Sequence, residues 1–265
     1  MADAVAEYSR HRAATESWAL GRFVVSLSRG AEFSHEAAVL AVNGTPWPVS
    51  LVASLSDCAT IADLRWYTRN YVIEAAELKA GGIPEVAHAT ALAGLQVFIE
   101  PGAGVEDLDA FAAAVARVDA AAKIRTGGVT ADAFPTPRQV LDFLRACRNA
   151  RIRFKATAGL HHAIRGNYRL TYEPVPPTGL MFGFLNVAIA AALLWFGRSD
   201  DVVLEVLDER SMAAFEFTDS GLAWRDERLT KRELDEVRAS FFAGFGSCSF
   251  REPMAEIGLE AVPHA

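Results

Sequence analysis

The chain has few cysteines: Cys58, Cys147 and Cys248 are the only three in 265 residues, far apart, odd in number and without C-x-x-C spacing. That excludes a disulfide framework and a cysteine-built zinc site, and it leads us to expect a reducing, cytoplasmic setting. Cationic runs are also missing. The 26 Lys and Arg are dispersed and outnumbered by 33 Asp and Glu, for a net charge of −7. This argues against a nucleic-acid-binding surface and for a small-molecule partner. The opening M-A-D-A-V-A-E-Y-S-R-H-R has no apolar core, so no secretory signal is expected. The apolar stretch L-M-F-G-F-L-N-V-A-I-A-A-A-L-L-W-F, at 180–196, falls short of the about 20 residues of a membrane span and contains Asn186. It reads as a buried helix, with no membrane contact. Apolar residues are plentiful: 51% hydrophobic against 22% charged suits one α/β domain over residues 1–265.

Short β-branched runs recur along the chain: F-V-V-S-L (23–27), P-V-S-L-V-A-S (48–54), Y-V-I-E-A-A-E-L (71–78), L-Q-V-F-I-E (95–100), A-A-K-I-R (121–125) and R-I-R-F-K-A-T (151–157). The first five are centred about 25 residues apart, a workable length for a strand-plus-helix unit. Between them, V-E-D-L-D-A-F-A-A-A-V-A-R-V and P-R-Q-V-L-D-F-L-R-A-C-R place apolar residues at helical intervals, with Thr136 as N-cap and Pro137 as first helical residue of the second. V-V-L-E-V-L (202–207) and A-F-E-F-T (214–218) bring the strand candidates to eight. Near-continuous apolar strands separated by helices indicate a (β/α)8 TIM barrel. Only D-E-R-S-M-A separates the last two candidates, too short for a crossover helix. The seventh unit is therefore degenerate, or those two candidates form a C-terminal hairpin, and the turn at Ser220 and Gly221 could itself send a further strand back. K-R-E-L-D-E-V-R-A-S-F-F-A-G-F reads as the final helix. In the G-S-C-S-F that follows, Cys248 has neither a histidine nearby in sequence nor a nucleophile-elbow pattern, so it reads as part of a packed turn.

In a barrel the chemistry gathers where strands end. That rule selects Glu74 or Glu77, Glu100, Lys123 with Arg125, Lys155 with Thr157, then His161 and His162, and Glu205 or Asp208 from the seventh strand. Strand alternation puts Lys123 and Arg125 on one face, and Arg153, Lys155 and Thr157 on one face of the next strand. Charged groups in apolar strands are paired or functional. The plainer alternative is an ion-pair network in which Glu100 and Glu74 neutralise the lysines. A lysine in apolar surroundings beside a second cation gives up its proton more readily, and the neutral amine can attack a carbonyl.

The K-A-T-A-G of residues 155–159 resembles the strand-six lysine motif of class I aldolases of the deoxyribose-phosphate aldolase type. The resemblance covers residues 154–159 and implies a (β/α)8 lyase in which Lys155 forms the Schiff base. The family's second lysine, on the seventh strand, has no counterpart, so Lys123 would act from another strand. K-I-R-T-G-G, F-K-A-T-A-G-L-H-H and G-S-C-S-F together also resemble a group of bacterial (β/α)8-barrel proteins, a likeness that carries no activity with it.

These observations lead us to expect an aldolase-like lyase for a small anionic carbonyl compound, needing no cofactor. Lys155 is the nucleophile, Lys123 tunes it, and Glu100 or His161 moves protons. Arg125 and the Thr126-Gly127-Gly128 turn hold the anion, with Thr157, Glu74 and His162 completing the binding residues. A second reading is a metal-dependent isomerase or hydrolase, in which His161, His162 and carboxylates such as Glu100 or Glu74 hold a divalent ion. A third is a non-catalytic metabolite-binding protein. The sequence leaves a homo-oligomer open.

Overall fold

Alternation of β-branched runs with helical segments produces parallel strands. The computed structural model describes residues 1–40, 46–64, 70–171 and 173–258. The chain divides into two compact units, Met1–Val105 and Glu106–Gly258.

The first unit contains β1 (Phe23–Ser26), β2 (Trp47–Ser54), β3 (Tyr71–Ala80) and β4 (Gln96–Pro101), each parallel to the next, with helices α1 (Ala2–Arg12), α2 (Gly30–Leu40) and α3 (Cys58–Ala62). A 3-10 segment, Ile83–Leu92, joins β3 to β4. Tyr8, Phe23, Phe33 and Trp47 form an aromatic cluster with ring centroids 4.9 to 6.1 Å apart, which holds α1 and α2 against β1 and β2.

The second unit begins with α4 (Leu108–Arg117), β5 (Ala121–Arg125), α5 (Pro137–Ala150) and β6 (Phe154–Thr157). Thr136 and Gln139 form a reciprocal capping box at the start of α5, and Pro137 occupies its first turn, as the sequence indicates. Next come the antiparallel pair β7 (Gly166–Arg169) and β8 (Thr178–Met181), then α6 (Phe184–Trp195) and α7 (Asp200–Asp208). An antiparallel meander follows, β9 (Phe215–Thr218), β10 (Gly221–Trp224) and β11 (Glu227–Thr230), and then α8 (Lys231–Ser240), β12 (Phe242–Gly246) and α9 (Arg251–Glu256). β6 runs parallel to β5 on one side and to β12 on the other. Its Phe154 meets Phe143 of α5 and Phe241 just before β12, at centroid distances of 6.0 and 5.0 Å.

The six candidate strands up to residue 157 are strands, and every described pairing among them is parallel. Among the described residues the eightfold set of parallel strands is not completed. Among the described residues seven strands have parallel partners, and the two expected to complete the barrel go elsewhere. Residues 202–207 lie in helix α7, where Val203, Val206 and Leu207 share the buried face and Asp200 and Asp201 sit at the positive end of the helix. Residues 215–218 form β9 of the meander, so the hairpin expected between 202–207 and 214–218 is not formed, while the turn at Ser220 and Gly221 does send a strand back, as β10. The final helix stops at Ser240 rather than continuing to 245: the backbone leaves helical geometry at Phe241 (φ −136°), and Phe242–Gly246 becomes β12.

The apolar run at 180–196 is split between β8 and α6. At 12 residues, α6 spans only about 18 Å of a hydrocarbon layer about 30 Å thick. No described helix is long and apolar enough to cross a membrane. Asn186, fully buried in α6, accepts a hydrogen bond from the Arg165 amide at 2.8 Å and donates to the carbonyls of Val206 and Glu209 at 2.7 and 2.8 Å. This side chain ties α6 to the end of α7 and to the loop before β7. Replacing it by the similarly sized Asn186→Leu strands the Arg165 amide and removes a donor from the carbonyls of Glu209 and Val206, the latter keeping only the Glu209 amide at 3.3 Å. The expected loss of stability is about 3 kcal/mol or more, read as a lowered urea midpoint. A change below about 0.5 kcal/mol, typical of an exposed site, would overturn this role.

Candidate functional site

Three short motifs meet in the second unit because β5, β6 and β12 are parallel neighbours, so their C-terminal ends and following loops lie at one edge. Burial alternates along β6: Phe154 and Ala156 face the helices, while Lys155 and Thr157 are half-buried on the other face. The register sets Lys123 opposite Lys155 and Arg125 opposite Thr157 across β5 and β6. On the far side, β12 sets Gly244 opposite Lys155 and Gly246 opposite Thr157. The central lysine therefore has another lysine as register partner on one side and a glycine, Gly244, on the other. A Cβ on Gly246 would stand 3.3 Å from Thr157 Cγ2 and 3.8 Å from Lys155 Cε, so the glycine leaves room beside that lysine. Lys123 is buried, at 6% exposure, Arg125 is exposed, and both lysines engage partner groups.

The turn after β5 is held from beneath. Thr126 is fully buried, and its hydroxyl donates to Ala158 O at 2.7 Å, joining the exit of β5 to that of β6. A Cβ on Gly127 would come within 2.4 Å of the Phe134 ring, and one on Gly128 within 2.7 Å of Ala133 Cβ. The glycine pair thus admits the 131–134 segment onto the turn. Of the residues expected to bind an anion here, Thr126 has its hydroxyl engaged internally. After β6 the chain makes two left-handed steps, at Ala158 (φ 67°) and Gly159 (φ 72°). They turn the backbone toward His161 and His162.

The two histidines do different things. His162 stacks on Tyr168 with centroids 3.5 Å apart, and its Nδ1 lies 2.5 Å from Glu256 Oε1. The other oxygen of Glu256 accepts the Ala163 amide at 2.6 Å, so α9 is clasped to this loop. His161 instead faces the segment after β12. Its Nδ1 is 3.0 Å from Ser247 Oγ and 3.8 Å from Glu252 Oε2, and both ring nitrogens are 3.6 Å from Cys248 Sγ. Burial lowers the proton affinity of His161; the Glu252 charge opposes this and His162 adds to it, with a net fall below the ordinary histidine value. The ring is therefore mostly neutral at pH 7.

The remaining candidates belong to other elements. In the first unit, Glu74 is exposed and accepts Arg22 Nε at 2.8 Å, while Glu77 is buried and accepts Ser50 Oγ at 2.9 Å. Glu100, also in that unit, is the register partner of Lys79. Glu205 and Asp208 sit on α7 rather than on a strand end, paired with Arg225 and Arg165 at 2.8 and 3.1 Å. Among the described residues, no three His, Cys, Asp or Glu side chains are grouped to hold a metal ion. Sequence reasoning missed Cys248, Ser247 and Glu252. Its reading of Cys248 as having no histidine nearby holds along the chain and fails in space, where His161 lies against it.

Compared with known proteins, the chain matches no family model, no curated protein and no solved structure.

The buried neutral state of His161 has a consequence for stability. Between its lowered folded value and the unfolded value of about 6.5, the unfolded chain binds more protons, so stability rises with pH. The contribution is complete above that range and is lost as pH falls through it. Urea midpoints measured from pH 7.5 to 5.5 should fall more steeply for the natural chain than for His161→Gln. Equal slopes would show that His161 is not held in a neutral buried state.

Proposed function

We propose that the protein is a lyase of the class I aldolase type that acts on a small anionic carbonyl compound through an imine on Lys155. The observation that carries this reading is the register of β5 on β6, which sets Lys123 and Lys155 side by side within parallel strands, two residues before the paired C-terminal ends Arg125 and Thr157. Neighbouring strands are about 4.8 Å apart, so the two lysines stand next to one another across the β5–β6 seam. The glycines of β12 support the reading by leaving space beside Lys155.

In this mechanism the neutral Nζ adds to the substrate carbonyl carbon, water leaves, and the protonated imine draws in the electron pair of the adjacent C–C bond as it breaks. Arg125, exposed at the end of β5, offers its guanidinium to the anionic end of the substrate. The backbone of the Thr126-Gly127-Gly128 turn and the Thr157 hydroxyl line the same edge. His161, with its proton affinity lowered by burial, takes and returns the proton. Imine chemistry of this kind calls for no metal.

The test is borohydride reduction in the presence of a panel of small aldehydes and keto acids, followed by peptide mass spectrometry. Lys155 should be labelled, Lys155→Arg should not, and Lys123→Gln should be labelled more slowly than the natural chain. No adduct at Lys155 with any member of the panel would overturn the proposal.

A further inference from the structure

Cys248 differs from the other two cysteines in every respect that governs reactivity. Cys58 and Cys147 are buried, and burial pushes both thiols up, away from the reactive thiolate. Cys248 is exposed, two residues beyond the end of β12, with both ring nitrogens of His161 at 3.6 Å. The imidazole is itself oriented: Ser247 Oγ lies 3.0 Å from Nδ1, and Glu252 of α9 places a carboxylate oxygen 3.8 Å from the same atom. A nucleophile, a base within reach and a third group that fixes the base form the arrangement by which weak nucleophiles are activated. Cys248 follows two residues after Gly246, the end of β12, which is the register partner of Thr157 on β6.

We propose that Cys248 and His161 form a thiol–imidazole pair that adds reversibly to the carbonyl carbon of a small aldehyde. The thiol proton passes to the ring of His161 while the sulfur lone pair forms the C–S bond. The π electrons of the carbonyl move to its oxygen, which takes the proton back from His161. The product is a thiohemiacetal, with no leaving group and no change of oxidation state. His161 enters as the neutral base, the form its burial favours at neutral pH. The inference concerns the same class of carbonyl compound as the imine reading, but it requires no imine on Lys155.

The experiment is alkylation of the whole protein by iodoacetamide at pH 7, followed by peptide mapping. Cys248 should react about ten-fold or more faster than it does in the guanidinium-unfolded chain, as an activated thiol does, while Cys58 and Cys147 stay unmodified in the folded protein. His161→Gln should return Cys248 to the unfolded-chain rate, and Glu252→Gln, which keeps the imidazole, should give an intermediate rate if the histidine variant fails to fold. Glyoxylate, a small anionic aldehyde, should slow the alkylation of Cys248 equally in the natural chain and in Lys155→Arg. Alkylation no faster than in the unfolded chain would overturn the proposal, as would indifference to both His161→Gln and Glu252→Gln. Protection by glyoxylate that disappears in Lys155→Arg would also overturn it, because the aldehyde would then be held by the lysine alone. Borohydride labelling of Lys155 is a separate readout, so the imine and the thiol can fail independently.

Discussion

The site in the second unit depends on the parallel docking of β12 against β6. The Phe154 amide donates to Phe241 O at 2.8 Å, just before β12 begins, and from there the register carries Gly244 past Lys155 and Gly246 past Thr157. Without that pairing, β6 would expose a ladder edge, Phe154 would lose its aromatic contact with Phe241, and Ser247, Cys248 and Glu252 would have no reason to meet His161. One hydrogen-bonded seam thus aligns the strand that carries the lysine with the segment that carries the thiol. The irregularity between Phe242 and Gly244 belongs to the same seam, because it places two glycines on the face shared with Lys155.

Much of this was legible from local pattern. The six strands up to residue 157 announce themselves as β-branched runs of the right length. Thr136 and Pro137 mark the start of α5, and alternation alone puts Lys123 with Arg125 and Lys155 with Thr157. Each of these inferences uses residues within a few positions of one another, where backbone geometry dictates which side chains share a face.

What failed depended on residues far apart in sequence or on a pattern with two solutions. V-V-L-E-V-L satisfies both a buried strand and a helix with Val203, Val206 and Leu207 on one side, and the acidic pair before it decides for the helix. The stretch after Ser240 has the apolar content of a helix, and its parallel pairing with β6, distant in sequence, makes it a strand. The contact between His161 and Cys248 joins positions 87 residues apart, which neither motif could reveal by itself. Glu74 was chosen for its place in an apolar strand, yet it lies near the beginning of β3 and pairs with Arg22 at the surface.

The clasp of Glu256 on His162 and Ala163 also bears on how the protein is made. Synthesis runs from the amino end, so the loop carrying His161 leaves the ribosome well before the strand and helix that complete its surroundings. A nascent chain that has reached only α8 holds both lysines and both histidines but no Cys248, no Glu252 and no Glu256. Until β12 inserts beside β6, that chain has neither the thiol nor the carboxylates that fix the imidazoles. Acquisition of the complete cluster is therefore a late event in synthesis.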